Sequence, residues 1–271
     1  MENNEKQLEE LLVKASLEPS FRPLFLDQLL QADIYCIGVT DQPSGHENKQ
    51  ILEEGSQLRL MHFQSEEGEP YLPFFLSLES LQKGIDEQQS YLRIPAKSFF
   101  EMTLGAALVL NPFSEYGKEF LPQEIEVILQ GGYGSKIESY EYQEETEVLL
   151  GQPAEYPHEM VKQLCIFLQT KPEVKSAYLA QMHDQKRDKE PTLLIGFETD
   201  QILDEEIFQT LKNQIGHVAY ESLVKKRIVD LVHIDENDEN SGLQHYLLNE
   251  TEAFYIRATT KKKGFFARLF S

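Results

Sequence analysis

A break constrains this chain more than any other feature. Residues 131–147 read GGYGSKIESYEYQEETE, with glycines at 131, 132 and 134 and glutamates scattered through the rest. The apolar periodicity of the flanking stretches lapses there, as it does in a linker. At 271 residues the chain has the length for two bodies, taking roughly 150 residues per domain. The expected organisation is an N-terminal amphipathic helix over 1–18, a first domain over 19–130, an acidic, glycine-containing linker over 131–146, a second domain over 147–258 and a basic, aromatic tail over 259–271.

Before the break, KQLEELLVKASLEP carries Leu8, Leu11, Leu12 and Ala15 at helical spacing, with Pro19 as a stop. This helix either packs on its own body or meets a partner. A second helix is expected over FRPLFLDQLLQA, then a buried strand at DIYCIGV. QLRLMHF (57–63) alternates as a half-buried strand does. YLPFFLS reads as a strand, SLESLQKGI as a short helix, RIPAKSFFEMTLG as a helix from Pro95 to Gly105, AALVL as a strand and LPQEIEVIL as a helix.

After the break the order is VLLGQP (strand), PHEMVKQLCIFLQTKP (helix), VKSAYLAQM and PTLLIGFE (strands joined by the charged loop HDQKRDKE), and DEEIFQTLKNQIG, a helix capped by Asp204 and closed by Gly216. IVDLVHI, GLQHYLLNE and AFYIRA follow as strand, short helix and strand. Two α+β domains are expected, each a mixed or mainly antiparallel sheet with helices packed on one face.

Charge is unevenly spread. Net charge is −21. Residues 257–271 hold five basic side chains and no acid, so the other 256 carry 20 basic and 46 acidic groups, a balance of −26. Such a body repels phosphates, which excludes nucleic acid as its partner. The two cysteines, Cys36 and Cys165, lie in apolar contexts and read as buried free thiols. Acidic MENNEKQLEELLVK lacks a secretory plan, and a cytoplasmic setting is expected.

No chemical signature emerges. GGYGSK (131–136) fails the Walker spacing, and Ile137 stands where the dinucleotide fingerprint needs glycine. A calcium loop counted from Asp235 puts Asn240 at the glycine position and Tyr246 at the bidentate glutamate position. No two histidines have the i, i+4 spacing of a helical zinc site. His183–Asp184 lacks any nucleophile context. The expectation is a chain without catalytic residues, metal or cofactor.

Two stretches remain as contact candidates. In LNPFSEYGKEF (110–120) a greasy strand ends in Asn-Pro. A phosphate loop would need several converging amides, but Pro112 removes one and Glu115 and Glu119 repel anions. Asn111 and Pro112 turn the chain, and Phe113, Tyr116 and Phe120 cover the sheet edge. Asn111, Phe113, Tyr116, Lys118 and Phe120 form the candidate contact loop. The tail ATTKKKGFFARLFS sets Lys261, Lys262, Lys263 and Arg268 beside Phe265, Phe266, Leu269 and Phe270, with the apolar residues on one side of a short helix. So short a helix is unstable alone in water. It packs back on its own domain, enters a partner's groove or meets an anionic membrane.

QLRLMHF, YLPFFLSLESL and PAKSFFEMTLGAALVLNPFSEYGKEFLPQEI together resemble the N-terminal domain of the SseB family of bacterial proteins. VLLGQPAEYPHEMVKQLCIFLQTKPEVKSAYLAQM through LLIGFE to AFYIR is similar to that family's C-terminal domain. The family is named for enhanced serine sensitivity, a phenotype and not an activity. The resemblance implies a cytosolic bacterial two-domain protein with no catalytic residues to carry over. Related domains occur in proteins linked to secretion systems, which implies protein–protein work. A non-enzymatic interaction or regulatory protein is the expected function. The alternative is a small-ligand sensor or enzyme of amino-acid metabolism, with a pocket near loop 111–120.

Overall fold

The computed structural model describes residues 2–41, 57–85, 89–133, 147–200, 203–235 and 242–258. These divide into two compact units. The first holds the described residues up to Tyr133 together with Asn213–Val218, and the second holds the remainder from Glu147 onward. Tail residues Lys261, Lys262, Lys263, Phe265, Phe266, Arg268, Leu269 and Phe270, most of the linker and most of the acidic run after Asp235 lie outside the described residues.

The first unit opens with helices α1 (Glu2–Leu17) and α2 (Arg22–Gln31), joined through a 3₁₀ turn at Pro19–Phe21. Strands β1 (Asp33–Thr40), β2 (Leu58–Leu60), β3 (Phe63–Gln64) and β4 (Pro70–Phe75) follow. Then come α3 (Leu78–Gln82), β5 (Tyr91–Pro95), α4 (Ala96–Met102), β6 (Leu108–Leu110), β7 (Lys118–Phe120) and α5 (Pro122–Leu129). The sheet runs β2-β1-β4-β6-β7, with β5 also on β1 and β3 on β4; β4–β6 is its parallel pair.

Successive side chains of a strand point to opposite faces, and β1 shows what covers each. Ile34 and Cys36 enter the main core with Phe74, Phe99, Phe100, Phe120 and the buried face of α1, whereas Tyr35 and Ile37 join Phe75 and Leu81 on the other side. Leu8, Leu11, Leu12 and Ala15 are all buried, so α1 packs on its own body. Rings of Phe99, Phe100 and Phe120 surround Phe74 at 5.5–5.9 Å between centroids. Truncating such a phenylalanine costs about 3–5 kcal/mol.

Some local expectations need correction. Tyr91–Pro95 is a strand paired antiparallel with β1, so Pro95 ends β5 and α4 starts at Ala96. QLRLMHF divides into two short strands, β2 and β3. Packing continues past residue 130: Tyr133 is 5% exposed and its hydroxyl donates to Asp27 at 2.7 Å.

From Glu147 onward the chain reads β8 (Leu149–Gly151), α6 (His158–Leu168), β9 (Val174–His183), β10 (Thr192–Thr199), α7 (Glu205–Glu221, of which Asn213–Val218 count with the first unit), β11 (Val229–Ile234), α8 (Gly242–Glu250) and β12 (Ala253–Ile256). The second unit's mixed sheet runs β11-β10-β9-β12, with β8 beside β9 and β11 parallel to β10. Helices cover both faces, not one. Leu194 joins Leu247 of α8, while its neighbour Phe197 stacks on Phe208 of α7 at 6.0 Å. That is why Thr192–Glu198 is buried without interruption. Asp204 caps α7, accepting from the Glu206 N–H at 3.0 Å, but the helix runs through Gly216 to Glu221. Burial of Ile215, Val218 and Ala219 outweighs the ~1 kcal/mol that a helical glycine costs.

One guanidinium organises the β9–β10 loop. Arg187 forks onto Asp230 of β11 at 3.1 and 2.8 Å and onto Asp188 at 2.7 and 2.9 Å. Thr192 donates to the same Asp230 at 2.6 Å, and Asp184 accepts from the Lys186 N–H at 2.9 Å. The hydrogen bonds from Arg187 hold the Asp188 carboxyl below its ordinary range.

Candidate functional site

The candidate contact loop leads to a groove in the first unit. It is about 870 Å³ and open to solvent, walled by α1, the start of α3, β1, β5 and residues 114–116. Its apolar lining comes from Val13, Tyr35, Leu78 and Tyr116, and its carboxylates from Glu5, Glu9, Glu10, Glu79 and Glu115, against the cations Lys6, Lys83 and Arg93.

Glu9 stands on α1 one turn after Glu5, so the two carboxylates share a side of the helix. One oxygen of Glu9 accepts from the Ser77 hydroxyl at 2.9 Å and the Ser80 hydroxyl at 2.5 Å; the other accepts from the Asn111 amide at 3.0 Å. Ser77 is also the N-cap of α3, accepting from the Ser80 N–H. Asn111 has φ of 48°, a left-handed conformation asparagine tolerates better than most residues. Its Oδ1 accepts from the buried Leu76 N–H at 3.2 Å. Glu5 accepts from the Tyr35 hydroxyl at 2.9 Å and lies 3.7 Å from Arg93, whose guanidinium also sits over the Tyr35 ring. Burial, reinforced by that hydrogen bond, pushes the Tyr35 phenol up to about 12. It stays protonated at neutral pH.

The loop residues have separate roles. Asn111 is 1% exposed and works as the pin just described. Phe120 is 0% exposed, inside the core on β7, so it presents nothing to a partner and does not cover an edge. The sequence reading missed β7, which pairs antiparallel with β6 and carries Phe120 inward. Lys118 bridges to Glu124 of α5 at 2.7 Å and lies over the Phe120 ring. Tyr116 lines the groove. Phe113 remains 42% exposed, with its ring 5.7 Å from Phe63 and 6.4 Å from Phe75. That ring lies on Gly84, where a Cβ would fall 1.9 Å from it, so only glycine lets it sit there.

Glu5, Glu9, Ser77 and Arg93 escaped the sequence reading. Their only signal is the i, i+4 glutamate pair on α1, which any solvated helix also shows. Among the described residues no cluster of His, Cys, Asp and Glu is arranged to hold a metal, and no helix is long and apolar enough to cross a membrane. Cys36 is buried, which pushes its thiol up to about 12, and Cys165 is half-buried with its Sγ 3.4 Å from the Phe254 carbonyl.

Residues 8–127 match the family model for the SseB protein N-terminal domain, and residues 142–257 match that for the SseB protein C-terminal domain. The chain is 33% identical over 258 residues to Protein SseB of Escherichia coli (strain K12) and likewise to Protein SseB of Shigella flexneri, covering 95% of this chain and 94% of each relative. The chain belongs to the SseB family. The N-terminal SseB domain begins inside α1, so the helix that carries Glu9 is part of the family's first domain. The C-terminal SseB domain takes in β8 through β12. No solved structure matches the chain.

Proposed function

We propose that this SseB-family chain is a non-enzymatic interaction or regulatory protein of the bacterial cytosol, and that it docks a basic segment of a partner protein in the first-unit groove. One observation carries the reading: the groups in the groove best placed for acid–base chemistry are occupied in holding the fold. Glu9 is taken by Ser77, Ser80 and Asn111, Glu5 by Tyr35 and Arg93, and the Tyr35 phenol is held protonated. What the groove offers a visitor is shape, apolar surface and an excess of carboxylates. A stripe of one sign favours a partner of the other.

The test is retention on the immobilised full chain. A single protein held at about one-to-one stoichiometry, and released by Glu10→Lys with Glu115→Lys, is the expected result. Equal retention by both forms, or none by either, sinks the proposal. The same reading gives the basic, aromatic tail a docking role on a partner or an anionic bilayer. Deleting 261–271 should abolish partner retention or liposome flotation and leave the melting temperature unchanged; a large fall in melting temperature removes that role.

A second reading, a small-ligand sensor or enzyme of amino-acid metabolism, is favoured by one observation. The groove lies within the ~300–1,000 Å³ of ligand pockets and sets Arg93 beside Glu5, opposite charges of the kind a zwitterion needs. A thermal-shift screen of amino acids and nucleotides, serine first because of the family's name, separates the readings. A saturable shift lost in Arg93→Ala selects the sensor, since a ligand raises the apparent stability of what it binds.

A further inference from the structure

The second unit has a groove of its own, about 580 Å³, between the start of α6 and the turn that follows α7. Met160 and Leu223, both buried, line it beside Tyr156, which is 41% exposed. On its lip Val224 is 99% exposed. That turn is firmly built: the Leu223 N–H donates to the Tyr220 carbonyl at 3.2 Å, and Lys226 Nζ caps the end of α7, donating to the carbonyls of Tyr220 at 2.9 Å and Glu221 at 3.3 Å. A branched aliphatic is therefore held out in water on a fixed support.

Lys226 has a structural duty, but its neighbours Lys225 and Arg227 line the groove without an ion pair among the described residues. They stand out in a body whose balance is −26, where acidic partners for surface cations are plentiful. Two cations without an ion pair among the described residues, close behind an exposed apolar residue, complement an acidic segment. Glu155, Glu159 and Glu190 line the same groove. They repel a continuous run of phosphates, which argues against nucleic acid or a bilayer. A peptide suits both sets of charges, because its carboxylates are spaced and its backbone N–H groups donate to acids.

We infer that this groove docks an acidic segment of a partner protein, with an apolar side chain of that segment against Tyr156, Met160 and Val224 and its carboxylates on Lys225 and Arg227. The surface is independent of the first-unit groove. A fluorescent decapeptide with a central leucine and glutamates alternating with serines, titrated against the full chain in physiological salt and followed by anisotropy, tests it. Saturable binding is expected, weakened at least 10-fold by Val224→Ser and by Lys225→Glu with Arg227→Glu, and unchanged by Glu10→Lys. Val224 contributes almost no buried surface, so its serine variant keeps the fold and the result stays interpretable. Equal binding of a lysine-for-glutamate peptide, indifference to all the lip variants, or loss of vesicle binding (phosphatidylglycerol) rather than peptide binding in those variants would each overturn the inference.

Discussion

Each unit pins a long turn with one charged side chain, but the two do it with opposite signs and over different reaches. In the first, the Glu9 carboxylate gathers donors from Ser77, Ser80 and Asn111, at sequence separations of 68, 71 and 102 residues. In the second, the Arg187 guanidinium gathers acceptors from its neighbour Asp188 and from Asp230, 43 residues away. A carboxylate accepts from groups arriving from several directions, whereas the planar fork of arginine demands partners already aligned with it. The first arrangement closes a domain that its N-terminal helix must complete. The second stiffens a hairpin whose strands are already paired.

The contrast can be broken, starting with its largest expected effect. Glu9→Ala leaves the buried Asn111 amide and the Ser80 hydroxyl without their acceptor, at about 3 kcal/mol in total. Calorimetry should show the loss, and hydrogen exchange should place it at α3 and residues 111–117; a change below about 1 kcal/mol would mean the carboxylate is idle. Arg187→Ala should cost less, about 2 kcal/mol, because the guanidinium side chain is 21% exposed and screened. Exchange should quicken in the β9–β10 loop, and a protection pattern unchanged there would reduce the fork to decoration.

The third effect is one of pH. Burial lowers the pKa of His233, whose ring nitrogen lies 3.0 Å from the Thr199 hydroxyl and whose ring is tilted against Phe197 and edge-on to Phe208. A histidine with a lowered folded pKa is protonated more readily in the unfolded chain, so stability rises with pH and falls as pH drops through the ordinary value near 6.5. The second unit should therefore lose stability between pH 7.5 and 5.5, and His233→Phe should flatten that slope. The Asp188 carboxyl acts in the same sense at lower pH: its lowered pKa adds stability at neutral pH that disappears as pH falls through the carboxylate range. An unaltered slope in His233→Phe would assign the pH response elsewhere. Smallest of all, Glu10→Lys with Glu115→Lys should move stability by no more than about 0.5 kcal/mol while abolishing partner retention.

These differences in reach also decide what was legible in the sequence. The second unit's order of strands and helices could be read directly, because β9, β10 and β11 are long, rich in apolar side chains and clearly punctuated. In the first unit β5 and β7 were lost. Five residues ending in proline and three residues after a turn are too short for periodicity to separate strand from loop. Asn111 and Phe120 looked like exposed loop residues, since nothing local reports that Glu9 holds one or that pairing with β6 turns the other inward. Gly216 looked like a stop, because a single glycine signals a helix end only when the apolar face also ends there, and Ile215, Val218 and Ala219 carry it on. The groove was legible only as a loop with aromatics; Glu5, Glu9 and Glu10, three of its five carboxylates, come from a helix about one hundred residues earlier.

The reach of Glu9 has a consequence for synthesis. A ribosome adds about 5–20 residues per second, so Asn111 is made on the order of 5–20 s after the carboxylate that it will bind. For that interval Leu8, Leu11 and Leu12 of α1 lack the completed sheet against which they are buried. The first domain is therefore closed by its oldest segment, and a nascent chain of this kind spends its longest wait with the apolar face of its first helix in the open.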